Sequence, residues 1–136
     1  MSDEYLIVLT GNLAARIRIS DIIYIERNNR KIRIVTEQEE YVYYERIENI
    51  IPHLDDRFFP CLKGCYINLE KVISMRERKI MFEGERVLYL GRENFVKTMQ
   101  YYKLYLKNPL DKKKSLRLKV ESSIIIEALS RARSIF

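Results

Sequence analysis

The chain has 136 residues, of which 47% are apolar and 32% charged, and its formal net charge is +6. This length suits one domain with an appendage, and the composition excludes a disordered chain. The excess of positive charge favours a polyanion over a cation as a partner. Because no apolar run approaches the roughly 20 residues of a membrane span, and no signal-peptide layout is present, we expect a cytoplasmic protein.

The first part of the sequence has the pattern of β-strands. Ile17 and Ile19 alternate with Arg16 and Arg18, which predicts a strand with one buried face. The run 22–26 is almost continuously apolar, as is typical of a strand in the middle of a sheet. We therefore expect this second run to be a central strand.

A basic hairpin is predicted after that run. Asn28 and Asn29 join two strand-like segments, and Asn tolerates the positive φ that tight turns require. Arg27, Arg30 and Lys31 flank the pair. These charges either decorate an exposed turn or form a basic finger aimed at phosphate, and this segment alone does not decide between the two.

The stretch 57–69 predicts a strand, a turn and a second strand. Its aromatic and β-branched residues suit a half-buried sheet, and Lys63-Gly64 supplies the turn. Cys61 and Cys65 would lie roughly 13 Å apart on one straight strand, too far for a disulfide, although a bend at the glycine could bring them closer. We expect two reduced thiols and, since the only histidine has no second cysteine pair beside it, no metal and no cofactor.

Further strands and two helices complete the predicted domain. Strands are expected at 72–75, 80–82 and 87–90, with a turn at Gly84 between the last two. Isoleucines at helical spacing predict a short helix near 44–52, which Pro52 closes. The pattern predicts a mainly β (α+β) fold of small antiparallel sheets.

A longer helix is predicted near 92–107. Its apolar stripe is expected to consist of Phe95, Val96, Met99, Tyr102 and Leu106. The arginine at its start either binds phosphate beside the free N–H groups of a helix N-terminus or is simply solvated. Beyond the helix, residues 108–136 predict a basic linker, a strand and a C-terminal helical tail.

Enzyme chemistry is not expected from this sequence. The four glycines are scattered and form no phosphate-binding loop. Cys61 and His53 could meet in principle, but nothing in the sequence positions a third group or an oxyanion hole.

Two runs stand out in this order of elements, Asp-Ile-Ile-Tyr-Ile-Glu at 21–26 and Leu-Asp-Asp-Arg-Phe-Phe at 54–59. In combination, the two runs and the order of elements resemble the LytTR DNA-binding domains of bacterial transcription regulators, and the resemblance covers about 17–106. The resemblance implies a β fold whose loops enter successive major grooves at paired direct repeats in promoters. Asn68 matches an asparagine that the resemblance implies is structural.

The resemblance also implies which residues contact DNA: Arg30 and Lys31 on the basic hairpin, Lys63 on the loop after Cys61, Arg78 or Lys79 on a further loop, and Arg92 at the start of the long helix. Asn29 is a further candidate, because an asparagine amide can reach a base edge. The sequence departs from the family at three places. Leu62-Lys63-Gly64 stands where His-Arg-Ser or His-Asn-Ser is common, Gly91 replaces Ser, and Glu93 stands where a basic residue is frequent.

We therefore expect a transcription regulator that binds double-stranded DNA, with residues 1–107 as the DNA-binding domain and 108–136 as an extension. The extension could mediate a homodimer. Two alternatives remain open, a derived protein-interaction module that has lost specific DNA binding, and an enzyme that uses Cys61.

Overall fold

A computed structural model of the chain describes residues 4–107. These residues belong to two compact units, one ending at Leu90 and the other beginning at Gly91. The predicted linker, strand and helical tail of 108–136 lie outside the described residues.

Residues 4–90 form ten β-strands. In chain order they are β1 (Tyr5–Leu9), β2 (Ala14–Arg18), β3 (Ile22–Asn28), β4 (Lys31–Thr36), β5 (Glu40–Tyr44), β6 (Phe58–Leu62), β7 (Cys65–Asn68), β8 (Val72–Arg76), β9 (Lys79–Phe82) and β10 (Val87–Tyr89). The helices of the described chain are α1 (Ile47–Ile50) and, in the second unit, α2 (Arg92–Lys107). Single 3₁₀ turns occupy Ile19–Asp21, Ile51–His53, Leu69–Lys71 and Glu83–Glu85. The predicted mainly β fold with a short and a longer helix is confirmed.

The strands form three small antiparallel sheets. Their orders are β1-β2, β10-β9-β8 and β5-β4-β3-β7-β6. Strand β3 therefore lies in the middle of the largest sheet, as its apolar run predicted. Ile22, Ile23 and Ile25 on this strand are completely buried, because both faces of a central strand are covered.

The main core lies between the five-stranded sheet and the β1-β2 hairpin. Apolar residues of β1 and β2 pack in one cluster with those of β3, β4 and α1: Leu6, Val8, Ile17, Ile25, Ile32, Ile34, Ile47 and Ile50. Elsewhere on the large sheet, the ring of Tyr24 lies 5.8 Å from that of Phe82 on β9. Both smaller sheets thus contact the large one.

Asn68 fastens the end of β7 to the start of β3. Its side chain is completely buried. The amide nitrogen donates to the carbonyl of Ile22 at 2.8 Å, and the amide oxygen accepts from the N–H of Glu70 at 3.0 Å. This geometry agrees with the structural role that the family resemblance implied for it.

The short helix is smaller than predicted. Tyr44 stays in strand β5 because it pairs with Lys31 of β4, and Arg46 is still extended, with φ −89° and ψ 136°. Helix α1 therefore begins only at Ile47. Pro52 does not close a helix but lies inside the 3₁₀ turn that follows α1, where its missing N–H costs nothing.

The predicted stripe of α2 is partly wrong. Val96 and Leu106 are about half exposed, while Thr98 and Tyr101 are buried with Phe95 and Tyr102. Apolar spacing misplaced the buried arc because Tyr is amphipathic and Thr carries a methyl group, so both accept burial. Within residues 4–107, no helix is long and apolar enough to cross a lipid bilayer.

Candidate nucleic-acid interface

One end of the five-stranded sheet gathers most of its unpaired positive charge. The antiparallel pairing places the last residues of β3, β5 and β6 beside the first residues of β4 and β7. Five cations lie at this end, which we call the cationic edge: Arg27, Arg30, Lys31, Arg46 and Lys63. All five are exposed to solvent.

The β3-β4 turn forms one half of the cationic edge. Asn28 pairs with Lys31, so the turn itself consists of Asn29 and Arg30. Asn29 has φ 59°, the conformation for which asparagine is favoured. The N–H of Glu45 donates to the carbonyl of Arg30 at 3.2 Å. The turn is thereby held against the chain that follows β5.

The β6-β7 turn forms the other half. Gly64 has φ 79°, which explains the glycine at this position. Its carbonyl accepts a hydrogen bond of 2.7 Å from the N–H of Arg27, next to the end of β3. This bond brings Lys63 to the same end of the sheet as Asn29 and Arg30. The structure therefore brings together four of the predicted contact residues, of which Lys31 is the fourth.

The charges of the cationic edge are not neutralised within the protein. In the part of the chain that the structure describes, none of its five cations forms an ion pair. Lys31 places its Nζ 5.0 Å from the centroid of the Tyr44 ring. The neighbouring acid Glu45 accepts from the Asn49 side chain and from the N–H of Arg46, and these two hydrogen bonds lower its pKa. The edge thus combines five unpaired cations with one neighbouring carboxylate, and its net positive charge is exposed to an anion.

The remaining predicted contact residues lie elsewhere. Glu77 and Arg78 form the turn between β8 and β9 in the three-stranded sheet, and Lys79 is the first residue of β9. Arg92 is the first residue of α2 and belongs to the second unit. Their roles stay predictions that rest on the family resemblance.

Two cations of the edge were not among the predicted contact residues. Arg27 was noted at the hairpin but not assigned a contact, and Arg46 lies at the start of α1. The charge of Arg27 was visible in the sequence. The hydrogen bond that joins its backbone to Gly64 was not, because it depends on how distant strands pair.

The two cysteines flank the β6-β7 turn as buried free thiols. The Sγ of Cys61 donates to the carbonyl of Cys65 at 3.6 Å. The hydrogen bond with the Cys61 thiol, followed by burial, raises the pKa of Cys65 above its usual range. Among residues 4–107, no cluster of three or more His, Cys, Asp or Glu side chains could hold a metal ion.

Comparison with known proteins gives this arrangement a context. The fold matches the solved LytTr DNA-binding domain of a Bacillus cereus protein described as a methyl-accepting/DNA response regulator, with a TM-score of 0.59 and 10% sequence identity over 74% of this chain and 97% of that one. A search of curated protein sequences gave no match. The sequence model of the LytTr DNA-binding domain matches residues 14–111, which include the whole cationic edge. This chain therefore belongs to the LytTr DNA-binding domain family.

Proposed function

We propose that the protein is a sequence-specific, DNA-binding regulator of transcription whose cationic edge contacts the major groove. The observation that carries this proposal is the convergence of five unpaired cations at one end of a rigid sheet. DNA presents a dense row of phosphates, and cations that neutralise them release counterions and so stabilise the complex. Cations already paired inside the protein could not do so without losing their partners.

The spacing of the two turns supports a single groove as their target. In the strand order β4-β3-β7-β6, the centres of the β3-β4 and β6-β7 turns are two strand spacings apart, or about 10 Å. The major groove of DNA is about 12 Å wide and admits a two-stranded ribbon. Arg30 and Lys63 on the two tips can therefore face phosphates on either side of one groove.

The remaining contacts follow from side-chain chemistry and from the family resemblance. Asn29, on the turn tip, carries the amide that pairs with the edge of an adenine. Arg78, Lys79 and Arg92 supply further phosphate contacts. Binding at paired direct repeats in promoters, and a homodimer through the C-terminal extension, belong to the same proposal.

The experiment is duplex binding by the full chain over a range of salt concentrations. Arg30→Ala and Lys63→Ala should each weaken binding several-fold and lower the slope of log affinity against log salt by about 0.9, because each removes one phosphate contact. The control is Lys71→Ala, which removes the same charge just beyond the opposite end of β7, where the Nζ lies 3.4 Å from Glu83. If both edge variants bound like the wild type at every salt concentration, the cationic edge would not be the interface.

A protein-interaction module without specific DNA binding is the second candidate. It is favoured by exposed apolar side chains on β1 and β5, among them Leu9 at 76% exposure and Tyr44 at 72%, since such patches often mark protein contacts. Size-exclusion chromatography of Leu9→Lys and Tyr44→Lys variants, run beside the duplex-binding assay, separates the candidates. A module of this kind would change its assembly state in these variants and show no preference among duplexes.

A further inference from the structure

Arg27 differs from the other cations of the edge in lying against the β6-β7 turn. It is the penultimate residue of β3 and pairs with Ile32 across to β4. On its other side lies Gly64, whose carbonyl accepts the Arg27 N–H at 2.7 Å. A β-carbon added to Gly64 would lie 3.3 Å from the Cβ of Arg27, 3.6 Å from its Nε and 4.0 Å from its Cζ. The whole arginine side chain, from Cβ to the guanidinium, therefore runs across the space that the glycine leaves open.

None of the other cations combines a guanidinium with a position against the β6-β7 turn. Arg30 and Lys63 stand at the two turn tips, and within residues 4–107 neither forms an ion pair or an aromatic contact. Lys31 is placed over the ring of Tyr44, but its ammonium is a point charge without a planar fork. Arg46 also has a guanidinium, but it lies between β5 and α1 and not on an inner strand. Arg27 combines a planar guanidinium with a side chain that lies along the β6-β7 turn. Strands β3 and β7 are the inner strands of the two turns, so Arg27 lies on the side of its turn that faces the other turn.

We infer that Arg27 is the specificity-determining residue of the cationic edge and that it reads a guanine in the major groove. This inference rests on the proposed DNA-binding function. The guanidinium fork matches the O6 and N7 acceptors of guanine, and this pair is the commonest base-specific contact of arginine. The contact with Gly64 restricts the directions open to the Arg27 side chain, and a side chain with fewer accessible conformations loses less conformational freedom on binding. The cations at the turn tips then position the protein on phosphates, while Arg27 selects the sequence.

Gly64 has a matching role in this arrangement. It supplies the positive φ of the β6-β7 turn, and its lack of a side chain leaves room for Arg27. The serine that is common in the family at this position would place its β-carbon against the arginine. Gly64 and Arg27 thus depend on each other. In this chain the cation that contacts the base lies on β3 and not on the turn after Cys61.

The test is selection of random-sequence duplexes by the full chain. The wild type should enrich a motif that contains a guanine. Arg27→Lys keeps the charge but removes the fork, so it should bind duplex DNA with a nearly unchanged salt slope while losing roughly ten- to a hundredfold of its discrimination at one base pair. Arg27→Met should lose the same discrimination and, because it also removes a positive charge from the interface, should bind every duplex more weakly than Arg27→Lys does. Arg16→Lys on β2, which makes the same chemical change outside the edge, should enrich the wild-type motif.

The outcomes separate this inference from the proposed function. If the wild type enriches no motif, the proposed sequence-specific function fails, and the role of Arg27 fails with it. If the wild type enriches a motif and Arg27→Lys enriches the same one with equal discrimination at every position, only the role of Arg27 is overturned. Thermal unfolding of each variant, expected to match the wild type, verifies that a lost preference does not come from a lost fold.

Discussion

Two groups of cations in the first unit differ in whether they form ion pairs with carboxylates. On one face of the five-stranded sheet, Arg33 of β4 lies between Glu26 of β3 at 2.8 Å and Glu40 of β5 at 2.6 Å, and Glu40 also pairs with Arg86 at 2.6 Å. At the cationic edge, by contrast, the five exposed cations form no ion pair within the described residues. Charge by itself therefore does not distinguish a structural arginine from one available to a ligand.

The two groups also differ in which carboxylates would lose their counter-charge if a cation were removed. Arg33 is about two-thirds buried and holds two carboxylates from neighbouring strands, so its loss would leave Glu26 without this counter-charge and Glu40 with that of Arg86 alone. Loss of an edge cation would leave no carboxylate of the described chain without its ion-pair partner. We therefore expect the paired cations to control the free energy of unfolding and the unpaired cations to control binding.

The largest effect on stability is expected for Arg33→Ala. It should lower the free energy of unfolding by about 1–2 kcal/mol, because two partly buried carboxylates lose their hydrogen bonds to Arg33 and only Glu40 keeps a counter-charge, from Arg86. Urea unfolding measures this change directly. Since Arg33 is outside the edge, the salt slope of duplex binding should stay as in the wild type.

Arg30→Ala is the matched control for that measurement. It also removes one guanidinium, but from an exposed turn without ion pairs, so its stability should stay within about 0.5 kcal/mol of the wild type. Equal destabilisation by both variants would show that the division between paired and unpaired cations has no energetic meaning.

The next largest effect concerns the glycine that shapes the edge. Gly64→Ala should destabilise the fold by about 1 kcal/mol, because φ is 79° there and the added Cβ would come within 3.3 Å of Arg27. Gly11→Ala is the control, since nothing lies within 4 Å of a Cβ at that position. Chemical denaturation of both variants gives the comparison, and a Gly64→Ala protein as stable as Gly11→Ala would show that the turn relaxes freely.

Much of the fold could be predicted because it depends on local patterns. The alternation around Ile17 predicted a strand with one buried face, and the almost continuously apolar run 22–26 predicted a strand buried on both faces. Gly84 predicted a turn, and in the structure it adopts a positive φ of 75°, which glycine tolerates. Each of these features follows from neighbouring residues, so the sequence carries it directly.

The features that could not be predicted depend on pairing between distant strands. Tyr44 continues β5 instead of starting a helix because Lys31 pairs with it. The spacing of apolar residues around Tyr44 gives no information about that partner. The contact between Arg27 and Gly64 likewise exists only because β3 and β7 are neighbours. The charges of the candidate site were therefore readable from the sequence, but their grouping and their freedom from ion pairs were not.

A smaller effect is expected at the β8-β9 turn. Glu77 and Arg78 have φ values of 53° and 64°, the type I′ geometry that favours Asn-Gly. Glu77→Asn should therefore stabilise the protein by about 0.5 kcal/mol without weakening duplex binding.

Arg78→Gly should also stabilise the protein, but should weaken duplex binding if Arg78 contacts phosphate as proposed. Thermal unfolding and salt-dependent binding of both variants separate the two effects; an Arg78→Gly variant with unchanged affinity would remove Arg78 from the interface.

The smallest effect is a pH dependence of the paired group. The hydrogen bond from Arg33, with help from Arg86, holds the pKa of Glu40 below its ordinary value of 4.5. Since the folded-state pKa is the lower one, the stabilisation is complete above about pH 4.5 and is lost as the pH falls through the folded-state pKa. The stability difference between the wild type and Glu40→Gln, measured by urea unfolding, should therefore shrink below that pH and, because the carboxylate is partly exposed, also in high salt. A difference that stayed constant with pH would mean that the Glu40 charge contributes nothing to the network, and the contrast with the cationic edge would then rest on Arg33 and Glu26 alone.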